Sequence, residues 1–295
     1  MSTKNAQITL CLTGATGYVG RAILRHCDAM PEGAVSVRAL ARSEKQVLDR
    51  MNWSSLPDWL EVIPGRLPEV PDSFCPNNDH VVVHYGVKQI DHDGRGFNET
   101  NVEGTQRLLG ATNARTLGII YGSTLAVLGQ GAQKNVFETA PMNPQTLLAE
   151  TRAEAEETCY EWGARKHRSA FGLRPRFILG ASDQFVLPGL AKLAAKGQIV
   201  GTGDQEFSVI SVEDYAHIIV SLSAYSYLAT DTEQRALNVG YRQPVSFAEL
   251  QEVIAAAIGE NPKKVKRIPV YRWLPTIMRW LPIEGIDQKA TQLEL

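Results

Sequence analysis

Leu12-Thr13-Gly14-Ala15-Thr16-Gly17-Tyr18-Val19-Gly20 is the stretch whose reading decides the fold. Before it, Ile8, Leu10, Cys11 and Leu12 make an apolar run of the kind that forms a buried strand. After it, Val19, Ala22, Ile23 and Cys27 recur at i, i+3 and i+4, which gathers them on one face of a helix. A glycine-rich turn between a first strand and a first helix suits a dinucleotide pyrophosphate. Gly14 permits the tight turn, Gly17 lets main chain approach phosphate, and Gly20 brings helix and sheet together. Thr16, Tyr18 and Val19 share the helix N-terminus, whose free N–H groups and positive dipole end face the anion. The spacing is Gly-x-x-Gly-x-x-Gly rather than Gly-x-Gly-x-x-Gly. A glycine triplet alone also occurs in purely structural turns; the strand–turn–helix setting gives this one its weight.

Working outward, Ser36 to Ala41 reads as the second strand of a strand–helix–strand unit. An acidic residue roughly 20 positions past the last glycine normally binds the ribose 2′-hydroxyl. Ala41 stands there instead, followed by Arg42 and Ser43. A carboxylate would repel a 2′-phosphate, whereas an arginine can pair with it in bidentate fashion. Arg42-Ser43 therefore favours NADP over NAD, the alternative being that Arg42 is simply a solvated surface residue.

Leu60 to Ile63, Asp79 to His84, Leu117 to Ser123 and Ser169 to Arg174 read as further strands. Between the last three lie helices expected at Phe97 to Asn113 and from Asn143-Pro144 to about Trp162. Asn143 is the expected N-cap of the second of these, Pro144 its first residue and Gly163 its C-terminal stop. Alternation of strand and helix through six strands predicts an α/β, Rossmann-type doubly wound parallel sheet. Residues 1–175 are the expected dinucleotide-binding domain. Residues 176–295 mainly build a smaller substrate domain, with about 208–240 returning to the sheet. In this later part Ser246 reads as the cap of a helix that Gly259 stops. Loops at the carboxyl ends of parallel strands carry ligand contacts, which makes Tyr85 to Gly96 and Thr124 substrate-side candidates. His92, flanked by Asp91 and Asp93, is not read as a metal site, because three adjacent loop residues rarely give ligand geometry. Tyr271 to Pro282 is dense in large apolar residues. Ordinary packing is its first reading, a pocket wall using Trp273, Ile277 and Trp280 its second, and a membrane-surface helix its third.

Composition narrows the classes. A net charge of −2 gives no electrostatic case for nucleic acid or a membrane surface. No apolar run is long enough for a membrane span. The start of the chain does not read as a secretory signal, so none is expected, and the 4 cysteines form no Cys-x-x-Cys pair. Reduced thiols and a cytoplasmic location are the expectation.

Taken together, these residues resemble the extended short-chain dehydrogenase/reductase family of NAD(P)-dependent epimerases, dehydratases and dihydroflavonol-reductase-like enzymes. Thr13 to Gly20 is similar to the family's cofactor loop. Asn101 to Thr105 resembles its Asn-Val-x-Gly-Thr helix, Ser123 to Gly129 its Ser-Ser-x-x-Val-Tyr-Gly strand end, and Leu173 to Pro175 its Leu-Arg-Pro near the nicotinamide. The resemblance implies Thr124 as the catalytic hydroxyl, Asn101 and Pro175 beside the cofactor, a small-molecule substrate and a homodimer. It also implies a Tyr-x-x-x-Lys pair, and here the chain departs. Leu148 falls at the tyrosine and Arg152 at the lysine, and no tyrosine in the chain has lysine four residues later. Leucine has no proton to give; arginine can still hydrogen-bond a ribose but does not titrate near neutrality.

Three readings follow, in this order. The first is an NADP(H)-dependent oxidoreductase of a small, partly apolar carbonyl or enone, in which Thr124 polarises the carbonyl and Tyr85, His92 or water gives the proton. The second is a non-redox lyase, isomerase or cyclase using the pocket for positioning. The third is a non-catalytic NADP(H)-binding sensor or scaffold.

Overall fold

A computed structural model describes residues 7–91, 94–131, 133–184, 186–228, 233–260 and 266–268. His92, Trp273, Ile277 and Trp280 lie outside the described residues.

The first strands, in chain order, are Ile8–Thr13 (β1), Val35–Ala41 (β2), Leu60–Pro64 (β3), His80–His84 (β4), Thr116–Gly122 (β5) and Ser169–Pro175 (β6). They pair in parallel as β3-β2-β1-β4-β5-β6. The chain reverses its direction of winding between β1 and β4, the place where open α/β sheets bind ligands. Leu10, Leu12, Val37, Val81, Val83 and Ile120 are fully buried. Continuous apolar strands of this kind belong to sheets covered on both faces.

Helices Tyr18–Asp28 (α1) and Glu44–Met51 (α2) follow β1 and β2. Beyond β4, Arg95–Phe97 (α3), a π-helical turn Asn98–Glu103 and Gly104–Gly110 (α4) run on from one another. Leu147–Lys166 (α5) joins β5 to β6.

Two expectations about α5 are corrected. Its N-cap is Thr146, whose hydroxyl accepts from the Ala149 N–H at 3.1 Å, not Asn143. Asn143 instead donates its N–H to the Val127 carbonyl, which holds it and Pro144 in the loop after β5. Nor does Gly163 end the helix, which continues to a left-handed His167. A Cβ at Gly163 would lie 2.9 Å from Ala170 Cβ and Arg168 O, so this glycine serves close helix–strand packing.

Two compact units emerge. The first comprises residues 1–129, 134–174 and 212–238. Besides the sheet it holds helix Val212–Leu228 (α7), which packs on α1. The second comprises residues 130–133, 175–211 and 239–295. It contains Phe177–Leu179 (β7), Leu187–Ala195 (α6), Gln198–Val200 (β8), Glu206–Phe207 (β9) and Val209–Ser211 (β10). Strand Gln234–Val239 (β11) takes the sheet's edge beside β6. Val245–Ser246 (β12), Phe247–Ala257 (α8) and Lys266–Ile268 (β13) complete the second unit. There α6 and α8 enclose a core of Leu190, Ile199, Phe247, Leu250 and Ile254. Ser246 and Glu249 cap α8 reciprocally, and Gly259 follows its end at a φ of 77°.

Candidate active site

The glycine loop leaves β1 with Gly14 at a φ of 74°, in the left-handed region. A Cβ there would meet the Tyr85 carbonyl oxygen at 2.3 Å, so the main chain after β4 lies directly against the loop. A Cβ at Gly20 would meet the Gly14 oxygen at 2.1 Å. Gly17 donates its N–H to Gly14 O at 2.9 Å and stands as the N-cap of α1 with no side chain in the way. Thr16, Tyr18 and Val19 are half-buried around it. Glycines that keep a helix N-terminus open and bring strand, turn and helix together fit a dinucleotide pyrophosphate.

Beneath the loop runs a directed chain of hydrogen bonds. Gly86 N–H donates to Thr13 Oγ1 at 2.9 Å, and that hydroxyl faces His84 Nδ1 at 2.8 Å. His84 Nε2 faces Thr105 Oγ1 at 2.9 Å, and Thr105 donates to the Asn101 carbonyl at 2.5 Å. Because Thr105 spends its proton on a carbonyl, it accepts from His84 Nε2–H. Burial, with Arg152 as a lesser cause, pulls the His84 pKa down to about 3, so the ring is neutral near pH 7 and its Nδ1 is the acceptor for the Thr13 hydroxyl. This chain ties the ends of β1 and β4 to the helix that begins at Arg95. Sequence reading passed over His84. Its signal was a histidine and a threonine ending two otherwise apolar strands.

Asn101 is fully buried. Its oxygen accepts from Lys88 N–H at 2.8 Å, and its amide nitrogen donates to Lys88 O and Thr151 Oγ1, both at 3.2 Å. The side chain thus holds the loop after β4 against α5. Thr151 in turn donates to the Leu148 carbonyl at 3.0 Å.

Three of the expected catalytic positions converge at the end of β5. The half-buried Tyr85 ring lies across Gly122, where a Cβ would come within 2.4 Å of it. Its hydroxyl donates to Tyr215 Oη at 2.9 Å. Burial, then the Tyr215 neighbour, pushes the Tyr85 phenol well up, so it is protonated across the neutral range. Arg152, only 3% exposed, donates Nε–H to Tyr121 Oη at 3.0 Å and an Nη2 proton to the Gly122 carbonyl, with its guanidinium 5.6 Å from the Tyr121 ring centre. Tyr121 is pushed up to about 12, by burial first, against the opposing pull of Arg152. Among the described residues no carboxylate pairs with Arg152.

Thr124 follows directly. Its Oγ1 accepts from Ala126 N–H at 3.2 Å, capping the short 3₁₀ turn Leu125–Leu128. With one lone pair so committed, the hydroxyl proton is left to donate away from the turn. Leu148 is half-buried in the first turn of α5, one turn before Arg152 and on the same face.

Behind this edge, buried Glu156 accepts from Arg174 Nη2 at 2.7 Å, Arg174 Nε at 3.0 Å, Tyr160 Oη at 2.6 Å and the Ser123 hydroxyl. A fully paired carboxylate here fixes Ser123, and with it the approach to Thr124. Neither Glu156 nor Tyr215 was legible as a partner, since 18 and 130 residues separate them from Arg174 and Tyr85.

On the other side of β1, Arg42 is exposed just past β2 and donates to Gln46 Oε1 at 3.3 Å. Ser43 caps α2 by accepting from Gln46 N–H at 3.2 Å. Pro175 closes β6. No helix of the described residues is long and apolar enough to cross a membrane, and the 4 cysteines are free and buried.

The sequence profile of the NAD-dependent epimerase/dehydratase family matches residues 10–240. A 2-alkyl-3-oxoalkanoate reductase from Stenotrophomonas maltophilia is 26% identical over 275 residues, which cover 85% of this chain and 76% of the relative. The 4-hydroxy-2-methyl-3-oxo-4-farnesyl-3,4-dihydroquinoline-1-oxide ketoreductase of Stigmatella aurantiaca is 29% identical over 61% of this chain; the match spans about half of that relative, 53%. Among solved structures, dTDP-glucose 4,6-dehydratase from Bacillus anthracis in complex with NAD superposes with a TM-score of 0.70 at 15% identity, covering 97% of this chain and 95% of the other. UDP-glucuronic acid 4-epimerase from Bacillus cereus in complex with NAD gives 0.71 at 18% identity, covering 89% and 88%.

Proposed function

The chain belongs to the NAD-dependent epimerase/dehydratase family. On that footing we propose that it is an NADP(H)-dependent oxidoreductase that reduces a small, partly apolar ketone or enone without a catalytic tyrosine. The observation that carries the reading is Thr124, whose oxygen is anchored by Ala126 N–H while its proton remains available to an oxyanion at the end of β5. Two relatives named for reducing keto groups support a ketone over other substrates. The two solved structures named above are NAD complexes, and the preference for NADP rests on Arg42 and Ser43 after β2.

The glycine loop, Arg42 and Ser43 would hold the dinucleotide, with Arg152 and Pro175 on its nicotinamide side. Bound there, the nicotinamide supplies a hydride. Thr124 donates to the substrate oxygen as negative charge develops on it. Leu148 replaces a phenol with an alkyl group, which makes its part of the site more apolar. Tyr85 keeps its proton directed at Tyr215, so the proton that completes reduction comes from water. An enone suits this division, because the enolate left by hydride addition is basic enough for water to protonate.

One observation favours a second reading, a non-redox catalyst or an NADP(H) sensor. The Arg152 guanidinium is occupied with Tyr121 and Gly122 rather than open. The pair Leu148→Tyr with Arg152→Lys separates the two. Under the oxidoreductase reading, NADPH-driven ketone reduction appears or rises in the double variant. If neither it nor the parent turns over ketones or enones while NADPH binds, the redox reading falls.

A further inference from the structure

Away from the carboxyl strand ends just described, three segments bring thiols and an imidazole together. Cys11 comes from β1, Cys75 from the proline-rich connection between β3 and β4, and His80 from the first position of β4. One ligand atom from each lies within 4.8 Å of the others, and all three residues are buried. Two thiolates at the zinc–sulfur distance and an imidazole at the zinc–nitrogen distance sit roughly 3.5–3.8 Å apart around a tetrahedral ion. Closing the cluster around an ion therefore needs shifts of an ångström or so. We propose that Cys11, Cys75 and His80 form a binding site for a thiophilic d¹⁰ metal ion, with Zn²⁺ as its natural occupant.

The surroundings suit that ion. His80 Nδ1 lies 2.9 Å from the Asn78 carbonyl, the hydrogen bond that orients a metal-binding imidazole and leaves its lone pair on the other nitrogen. Nε2 meets Thr116 Oγ1 at 2.8 Å, a bond that an ion at Nε2 has to displace. The Phe74 carbonyl, 3.7 Å from Cys11 Sγ, offers a fourth donor. Arg38 donates to that carbonyl at 3.1 Å, but Glu61 neutralises its charge. Two thiolates, a neutral imidazole and a divalent ion leave the buried site with no net charge. Hard ions such as Mg²⁺ and Ca²⁺ are excluded by the sulfur donors. The ion would clamp the β3–β4 connection onto β1 three residues ahead of Gly14.

The test uses the full chain, reduced and stripped by a chelator. Titrated Cd²⁺ should give a thiolate charge-transfer band saturating at about one equivalent per chain, and Zn²⁺ should raise the unfolding temperature. The band should vanish in Cys75→Ser and persist in Cys27→Ser/Cys159→Ser. X-ray absorption of the Zn²⁺-loaded parent, which needs no variant, should report two sulfurs and at least one nitrogen. An absorption shell of oxygen and nitrogen only, a band that survives Cys75→Ser, or a Cys11–Cys75 disulfide in place of bound metal would each overturn the site.

Discussion

Acidification probes the hydrogen-bond chain under the glycine loop through one group, His84. Its pKa is about 3 in the fold and about 6.5 in the unfolded chain. Between those values the unfolded state takes up a proton that the folded state refuses. Stability supplied by the neutral ring is thus present above about pH 6.5 and drains as pH falls toward about 3. At about pH 5 the unfolded pKa lies ~1.5 units above the pH, which corresponds to a loss of about 2 kcal/mol. His26 contributes with the same sign, because burial lowers it too. A His84→Gln variant removes only the term of interest, at a cost near neutrality of about 1–3 kcal/mol from bonds to Thr13 and Thr105. Urea midpoints for parent and variant between about pH 7 and about pH 5 give the comparison. The parent should lose about 2 kcal/mol more than the variant over that interval. NADPH affinity of the folded parent should stay level through this group over that interval, because the ring keeps its bonds to Thr13 and Thr105, whereas His84→Gln should weaken it at both ends. Parallel pH profiles of stability for the two proteins would refute the neutral, doubly engaged histidine.

Gly14→Ala puts a Cβ 2.3 Å from Tyr85 O at a φ of 74°. It should destabilise the fold by at least ~2 kcal/mol in urea and abolish measurable dinucleotide binding; normal binding by calorimetry would contradict the close approach. Arg42→Ala should weaken NADPH about 10- to 100-fold by loss of a charge-assisted contact, with NADH almost unchanged. Equal losses would show that Arg42 does not read the 2′-phosphate. Glu156→Gln leaves Arg174 buried without its anion and should cost about 3–5 kcal/mol in thermal or urea unfolding. A change below ~0.5 kcal/mol would mean that the pair is not buried in solution.

Much of the fold was legible because local signals agreed with one another. Gly14, Gly17 and Gly20 sit between a strand and a helix of matching periodicity, and the apolar runs of β1, β4, β5 and β6 are continuous, as strands buried on both faces must be. Short-range capping was read correctly at Ser246 and Gly259. It failed at Asn143, where the competing bond to Val127 lies across a loop, and at Gly163, where the glycine answers to β6 rather than to its own helix. The site was legible only as positions. Thr124, Leu148 and Arg152 could be placed along the chain, but their partners are fixed by tertiary packing. Tyr85 on Tyr215, Arg152 on Tyr121 and Glu156 on Arg174 each join residues from separate elements, and no periodicity announces such pairs. The polar ends of β1 and β4 were the one missed clue within reach. A threonine and a histidine closing adjacent apolar strands at the ligand edge need partners there, and Thr13 and His84 are bonded to each other.

The most direct test of the proposed chemistry follows the hydride itself. NADPH deuterated at nicotinamide C4 is incubated with the protein and a panel of 3-oxoacid derivatives and apolar enones, and the products are read by mass spectrometry. Deuterium should appear on carbon in a reduced product, with turnover lowered on the order of 10²-fold by Thr124→Ala, the loss expected for one donor to a developing oxyanion, and changed little by Tyr85→Phe. Products without deuterium, from a protein that nonetheless binds NADPH, would contradict the account.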